Sequence, residues 1–263
     1  MLIAHLSDPH LCPPGTLYQS VLDTTHRFAE ALSRAASFSP DLLILSGDLT
    51  EHGDAASYAV ARDLLASFPA QILAIPGNHD NREAFRTGLS GLPTLAAHPA
   101  SGPLHATFEG PIRVIGLDVT VPGDHHGLVT PDHADWLDRT LSLAPDTPTL
   151  IVTHQPPFAT GMGFVDTYRC FGEHLLVATL SRHRQVIRLL AGHVHRFTLT
   201  SFADRPALTA PATATSIALR LGPEAEPASF TEPAGMLLHL WREGQLTTHL
   251  QPLGDWPGPH PFF

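Results

Sequence analysis

The chain has 263 residues, 43% of them hydrophobic, and carries 25 Asp and Glu against 15 Lys and Arg, a formal net charge of −10. That length supports one α/β domain with a large core. The acidic balance disfavours a long nucleic acid, which would meet repulsion over much of the surface. Cys12 and Cys170 are too few for an oxidised scaffold and read as inert thiols. No apolar run approaches the length of a membrane span. The opening MLIAHLSDPH lacks the basic and apolar regions of a signal peptide, so the cytoplasm is the expected location.

The first predicted strand is LIAHLS (2–7), and DLLILSG (41–47), QILAI (71–75), IRVIGLDV (112–119), TLIVTH (149–154) and VIRLLAG (186–192) have the same form. These runs lack clean alternation, as expected of strands covered on both faces. Helical patterns fall between them. Val21, Phe28, Leu32 and Ala35 share one face of a segment around 20–38, and Ala61, Leu64, Leu65 and Phe68 share one in the next. Thr130 can cap a helix that opens on Pro131, and 173–184 reads as another. Strands alternating with helices predict an α/β architecture with helices outside the sheets. From about 197 the sequence turns rich in Thr, Ala and Pro, and a hairpin is expected at Glu243-Gly244. The segment 197–234 reads as an insertion that could serve as a flap or a dimerisation surface, within one domain spanning 1–263.

Five of the apolar runs end in polar clusters. These are Asp8 and His10 in SDPH, Asp48 in SGDLTEHGD, Asn78 and His79 in GNHD, His154 in VTHQPPF, and His193 with His195 in GHVHR. Carboxyl ends of strands in open α/β folds converge on one crevice, so the five can meet. In extended backbone, residues i and i+2 point the same way, which would aim Asp8 with His10 and His193 with His195 at a common point. Asn78 reads as a neutral ligand and His79 as a neighbour of the substrate. Two carboxylates, an amide and four imidazoles are too many for one tetrahedral ion, and fit two ions if one carboxylate is shared. Mixed O/N ligation without thiolate favours Mn, Fe, Co or Zn.

Around that site the readings are plainer. Asp80 either orders His79 or caps the helix that follows. Arg82 either steers a phosphate or, the preferred reading, is a solvated helix-face charge. Phe164, Tyr168 and Phe171 in GMGFVDTYRCFG line the substrate entrance or pack their own loop. His52, His125 and His126 lie in loops and read as packing; His5 reads as a satisfied strand histidine.

The ordered set D-x-H, GD, GNHD, a later H after a strand, and GHxH resembles the calcineurin-like metallophosphoesterases. The contexts SGDLTEHGDAASYAVARDLL, ILAIPGNHDNREAF, THQPPFATG and LLAGHVHR resemble the branch that holds class III cyclic-nucleotide phosphodiesterases and glycerophosphodiesterases. The likeness is good over 2–197 and looser beyond. It implies a four-layer α/β/β/α sandwich of two mixed sheets, with two divalent or mixed-valence ions at the strand ends. By that resemblance Asp8, His10 and His195 would hold one metal, Asn78, His154 and His193 the other, and Asp48 would bridge them. His79 would contact the phosphoryl group or the leaving oxygen. A hydroxide formed by the metals' charge would open a small phosphodiester to a phosphomonoester and an alcohol. A phosphomonoesterase or phosphonate hydrolase on the same site, and a metal-binding scaffold, are the competing readings. Homo-dimers or higher oligomers are implied as well.

Overall fold

Every side chain of the run Leu42–Leu45 is buried, yet its two faces enter different cores. Leu42 and Ile44 belong to one apolar cluster, Leu43 and Leu45 to another. That is the period of two in a strand covered on both sides, and it sets the layering of the whole chain.

The computed structural model describes residues 1–222 and 224–261. The first half runs β1 (Leu2–Leu6), α1 (Thr24–Ala36), β2 (Leu42–Leu45), α2 (Ala55–Leu65), β3 (Gln71–Ala74), α3 (Arg82–Gly88), β4 (Ala106–Phe108), β5 (Arg113–Gly116) and β6 (Gly127–Leu128). Then come α4 (Pro131–Ser142), β7 (Thr149–Thr153), α5 (Gly163–Asp166), β8 (Cys170–Phe171), α6 (Glu173–Arg182) and β9 (Val186–Ala191). The chain continues with β10 (Thr198–Phe202), β11 (Arg205–Thr209), β12 (Ser216–Ile217), β13 (Ser229–Phe230), β14 (Gly235–Arg242) and β15 (Gln245–Pro252).

A five-stranded sheet in the order β15-β14-β1-β2-β3 faces a six-stranded sheet in the order β10-β11-β9-β7-β5-β4. Ile3, Ile44 and Leu73 of the first meet Val114, Leu150 and Leu190 of the second. Outside the first sheet, Phe28 and Leu32 of α1, Tyr58 and Leu65 of α2 and Phe85 of α3 pack on Ala4, Leu43 and Ile72. Outside the second, Leu137 and Leu141 of α4 and Leu176 and Leu180 of α6 pack on Ile115, Ile151 and Leu189. The result is the four-layer α/β/β/α sandwich of two mixed sheets. β1, β2 and β3 are mutually parallel, as are β5, β7, β9 and β11, while β4, β10, β14 and β15 pair antiparallel at the edges. Among the described residues, no helix is long and apolar enough to cross a membrane.

Local chemistry explains most boundaries. Thr130 caps α4 through a capping box with His133, with Pro131 in the first turn. The β14–β15 hairpin turns at Glu243 and Gly244, with φ of 52° and 76°, the left-handed pair a tight hairpin requires. One expectation fails. Val21 shares no face with Phe28: α1 starts only at Thr24, because the Asp23 side chain accepts from His26 N and caps the helix there, leaving Val21 exposed in the preceding turn. Within 197–234, β10 and β11 form the edge of the six-stranded sheet, and β12 and β13 form a small separate ribbon.

Candidate metal centre

The carboxyl ends of β1, β2, β3, β7 and β9 open on one side of the sandwich and bring the five polar clusters together. Three sets of ligand atoms result, each within 4.8 Å: Asp8, His10, Asp48 and His195; Asp48, His154 and His193; and, at the rim, His10, Glu51 and His79. Asn78 joins the second set, its Oδ1 lying 3.1 Å from His154 Nε2 and 3.0 Å from His193 Nδ1. Asp48 belongs to the first two. Its Oδ2 stands 3.6 Å from His10 Nε2 and 3.2 Å from His154 Nε2, while its Oδ1 accepts from the His79 amide at 2.8 Å.

The convergence has a different backbone origin from the extended pairs expected. Asp8, His10, Asp48, His193 and His195 all have positive φ, between 47° and 66°. Such conformations cost non-glycine residues on the order of 1–3 kcal/mol each. Neighbouring main chain holds them: Asp8 N donates to Gly47 O, His10 N to Asp48 O, and Leu11 N to Leu49 O. The left-handed turns, rather than pleat alternation, aim both members of each pair inward. Glycines make the close approach feasible. A Cβ on Gly77 would collide with Asp48, and one on Gly192 with Ser7 Oγ, Asp8 and Ser46 O.

Ring orientation is fixed from outside the cluster. His10 Nδ1 donates to Glu51 Oε2 at 2.6 Å, His154 Nδ1 to Ser46 O at 2.7 Å, and His195 Nδ1 to Thr215 O at 2.7 Å. Each Nε2 therefore points inward. His10 Nε2 and His195 Nε2 face each other at 3.0 Å, and two unprotonated nitrogens at that distance would repel. Only a proton or a cation satisfies such a pair. The donor set, carboxylate and amide oxygen with imidazole nitrogen, suits a transition metal better than Mg²⁺ or Ca²⁺. The residues fit a pair of ions.

Electrostatics agree. Burial opposes ionisation of Asp8, but the His195 and His154 imidazoles beside it hold its carboxyl at about 2. Asp48 is buried too, and His154, His79 and His10 hold it well below the usual carboxylate range. Burial works against a charge on His154, yet Asp48 and Asp8 raise it to about 9. His193, by contrast, is pushed down to about 3 by burial and by His154.

His79 stands beside the cluster. Its Nδ1 lies 3.0 Å from Glu51 O and 3.3 Å from Glu51 Oε2, and its ring edge meets His10 at 4.8 Å between centroids. Burial disfavours its charged form, but Asp48 and Glu51 raise its pKa. The cluster floors a cavity of about 430 Å³ whose walls include Tyr18, His125, Phe164 and Tyr168.

Several flanking expectations are corrected. Asp80 does not cap the next helix; Asn81 is the cap of α3. Asp80 instead accepts from Leu49 N, Thr50 N, Gly77 N and the Tyr58 hydroxyl, tying the Asp48 loop to the Asn78 loop. Arg82, 22% exposed, is not aimed at the cluster, and its guanidinium is engaged by the protein. It forks onto Asp118, with bonds of 2.7 and 3.1 Å, and donates to Thr120 O. His125, read as loop packing, lines the cavity and accepts from Asn78 Nδ2 at 3.1 Å. Phe164 and Tyr168 do line it, whereas Phe171 packs under the Arg169 guanidinium. His5 is a buried strand histidine bonded to Ser46 Oγ. Both cysteines are free and buried, with the Cys170 thiol pushed up to about 12 by burial. No sequence signal marks Glu51: it is one more acid in the loop after Asp48, and no spacing rule sets it apart.

Residues 1–197 match the family model described as calcineurin-like phosphoesterase, which spans three-quarters of the chain. The chain belongs to the calcineurin-like phosphoesterase family. This phosphoesterase is 30% identical over 267 residues to a probable glycerophosphodiester phosphodiesterase of Arcobacter nitrofigilis, with 100% of the chain and 97% of the relative covered. It is 35% identical over 217 residues to a probable cyclic nucleotide phosphodiesterase of Rhodococcus erythropolis, covering 80% and 70% of the two chains. Its fold matches a dimetal phosphatase from Danio rerio with TM-score 0.69 and 13% identity, over 96% of each chain.

Proposed function

We propose that this chain is a dinuclear metal-dependent phosphodiesterase acting on small diesters, with release of a phosphomonoester and an alcohol. One observation carries the reading: two ligand sets joined at Asp48 floor a cavity that no Lys or Arg lines among the described residues. A diester brings a single negative charge to that cavity. The second charge of a monoester would find no Lys or Arg in that lining. The names of the Arcobacter and Rhodococcus relatives also speak of diester hydrolysis.

In this reading Asp8, His10 and His195 would hold one ion, Asn78, His154 and His193 the other, with Asp48 shared, and Mn, Fe, Co or Zn would suit the donor set. Bound there, such ions lower the pKa of water and offset charge on the phosphoryl oxygens. The protein's own part is positional. Glu51, Ser46 O and Thr215 O lock three rings with Nε2 inward. Asp48 pins the His79 amide and Glu51 engages its Nδ1, leaving Nε2 to donate to the phosphoryl or leaving oxygen. Asp80 holds the two ligand loops in register, and Phe164 and Tyr168 shield the substrate from water. A homo-oligomer built through 197–234, working in the cytoplasm, completes the proposal.

The test is kcat/KM of the Mn²⁺-loaded protein for bis(p-nitrophenyl) phosphate against p-nitrophenyl phosphate. One unpaired charge predicts a diester preference of about tenfold or more. A preference for the monoester would overturn the reading.

A further inference from the structure

Two hydroxyls line the cavity over the metal cluster without serving as ligands, those of Tyr18 and Thr215. The Tyr18 ring lies 5.0 Å from the ring of His10, centroid to centroid, and His79 meets that same His10 ring at 4.8 Å. Thr215 is 2% exposed, its carbonyl holds His195 Nδ1, and its Oγ1 has no hydrogen-bond partner among the described residues. We infer that Tyr18 is a catalytic residue, its phenol O–H donating to a nonbridging phosphoryl oxygen beside His10 and His195, and that Gln19 positions it. This inference rests on the phosphodiesterase reading and adds a donor to it.

The phenol is held in place. Tyr18 packs with Cys12, Leu22 and Ala214, and main-chain bonds in both directions between Tyr18 and Leu22, of 2.9 and 3.1 Å, close its loop. Gln19 Nε2 donates to Tyr18 Oη at 3.0 Å. The phenol accepts that bond, so its own hydrogen is left to donate, and a phenol that ionises at about pH 10 keeps it at neutral pH. Gln19 Oε1 accepts in turn from Ser229 Oγ at 2.9 Å, which ties the phenol to the β12–β13 ribbon. Gln19 and Ser20 hold left-handed backbone, with φ of 48° and 61°, a conformation such residues keep where surrounding contacts impose it.

A neutral donor suits this place. A phosphodiester presents two nonbridging oxygens that share one negative charge, and no Lys or Arg lines the cavity among the described residues. His79 supplies one hydrogen from its side of the His10 ring, and Tyr18 supplies a second without adding a charge. A hydrogen bond to an ionised acceptor is stronger than one between neutral groups, and strengthens as charge builds on the phosphoryl oxygens. An apolar ester arm seated against Thr215 would leave its buried Oγ1 unsatisfied, whereas a phosphoryl oxygen accepts from it.

The test is Tyr18→Phe, which removes one oxygen and keeps the ring. In the Mn²⁺-loaded protein kcat/KM should fall about 10–100-fold, the scale of one hydrogen bond to a charged group. The factor should be the same for bis(p-nitrophenyl) phosphate and diphenyl phosphate, whose leaving groups differ in basicity. The inhibition constant of inorganic phosphate should rise about tenfold, while Mn²⁺ bound per chain, counted by mass spectrometry, stays at the wild-type value. Gln19→Ala, at an exposed position, should cost about threefold alone and nothing on top of Tyr18→Phe. Thr215→Val is the second variant: it should lower kcat/KM about threefold and leave Tm undiminished, since the hydroxyl it removes is unbonded. Wild-type kcat/KM in Tyr18→Phe, a loss that tracks lost metal or grows with leaving-group basicity, or additive costs at Tyr18 and Gln19 would overturn the inference and leave a phosphodiesterase. Failure of the wild-type chain to hydrolyse any diester with metal bound would overturn both.

Discussion

Glu51→Gln preserves the size and an acceptor oxygen of the side chain and removes only its charge. Glu51 Oε2 lies 2.6 Å from His10 Nδ1, in a side chain 19% exposed, and 3.3 Å from His79 Nδ1. A hydrogen bond to a charged partner contributes roughly 1.5–3 kcal/mol, against about 0.5–1.5 for a neutral pair. The substitution therefore weakens support for His10 by about 1–1.5 kcal/mol, which lowers metal affinity about tenfold. That sits at the lower end of the roughly 10–100-fold loss typical when the outer partner of a ligand histidine is removed. Glu51→Ala goes further, because the buried His10 Nδ1–H then has no acceptor, at a further cost of about 1–3 kcal/mol. Competition for Mn²⁺ against a chromogenic chelator reads the affinity, and circular dichroism confirms that each variant is folded. Wild-type affinity in Glu51→Gln would refute the claim that this carboxylate tunes the centre.

The remaining predictions use other parts of the same geometry. His154 in the metal-free protein is raised from 6.5 to about 9. The stability gained from its proton is complete below pH 6.5 and is lost as pH climbs through about 9, so the metal-free Tm should fall across that window. Mn²⁺ affinity should rise over the same range, since the proton must leave before the nitrogen can ligate; a flat affinity profile would contradict this. Gly192→Ala should abolish metal uptake while the sheets still form, because the added Cβ meets Ser7 and Asp8; calorimetric metal titration with circular dichroism checks it. Arg82→Leu strands the fully buried Asp118 charge and should destabilise the fold by about 3–5 kcal/mol, read from urea denaturation.

Much of this was legible because parallel strands deliver their carboxyl ends to one place. An apolar run followed by Asp, Asn or His marks such an end, and five of them in order point to one cluster. The glycines of GD, GNHD and GH show their role as close-approach positions only once their neighbours are in place. What sequence patterns missed depends on contacts between distant segments. Asp8 and His10 converge through left-handed turns held by the main chain of 47–49, which pleat arithmetic does not anticipate. Asp80 gathers donors from the Asp48 loop and from Tyr58, so nothing in GNHD itself reveals its role. Arg82 looks solvated until Asp118, 36 residues away, is placed against it. The short strands β10 to β13 come from a Thr-, Ala- and Pro-rich stretch whose limits are set by neighbouring strands.

Metal stoichiometry coupled to activity tests the central claim most directly. The purified chain is stripped with a chelator, titrated with Mn²⁺, and assayed at each step on bis(p-nitrophenyl) phosphate, with bound metal counted by mass spectrometry. The account predicts no activity in the stripped protein and a return that is complete only at two ions per chain, with Asp48→Asn failing to recover. Full activity without metal, or saturation of activity at one ion, would contradict a shared two-ion centre at Asp48.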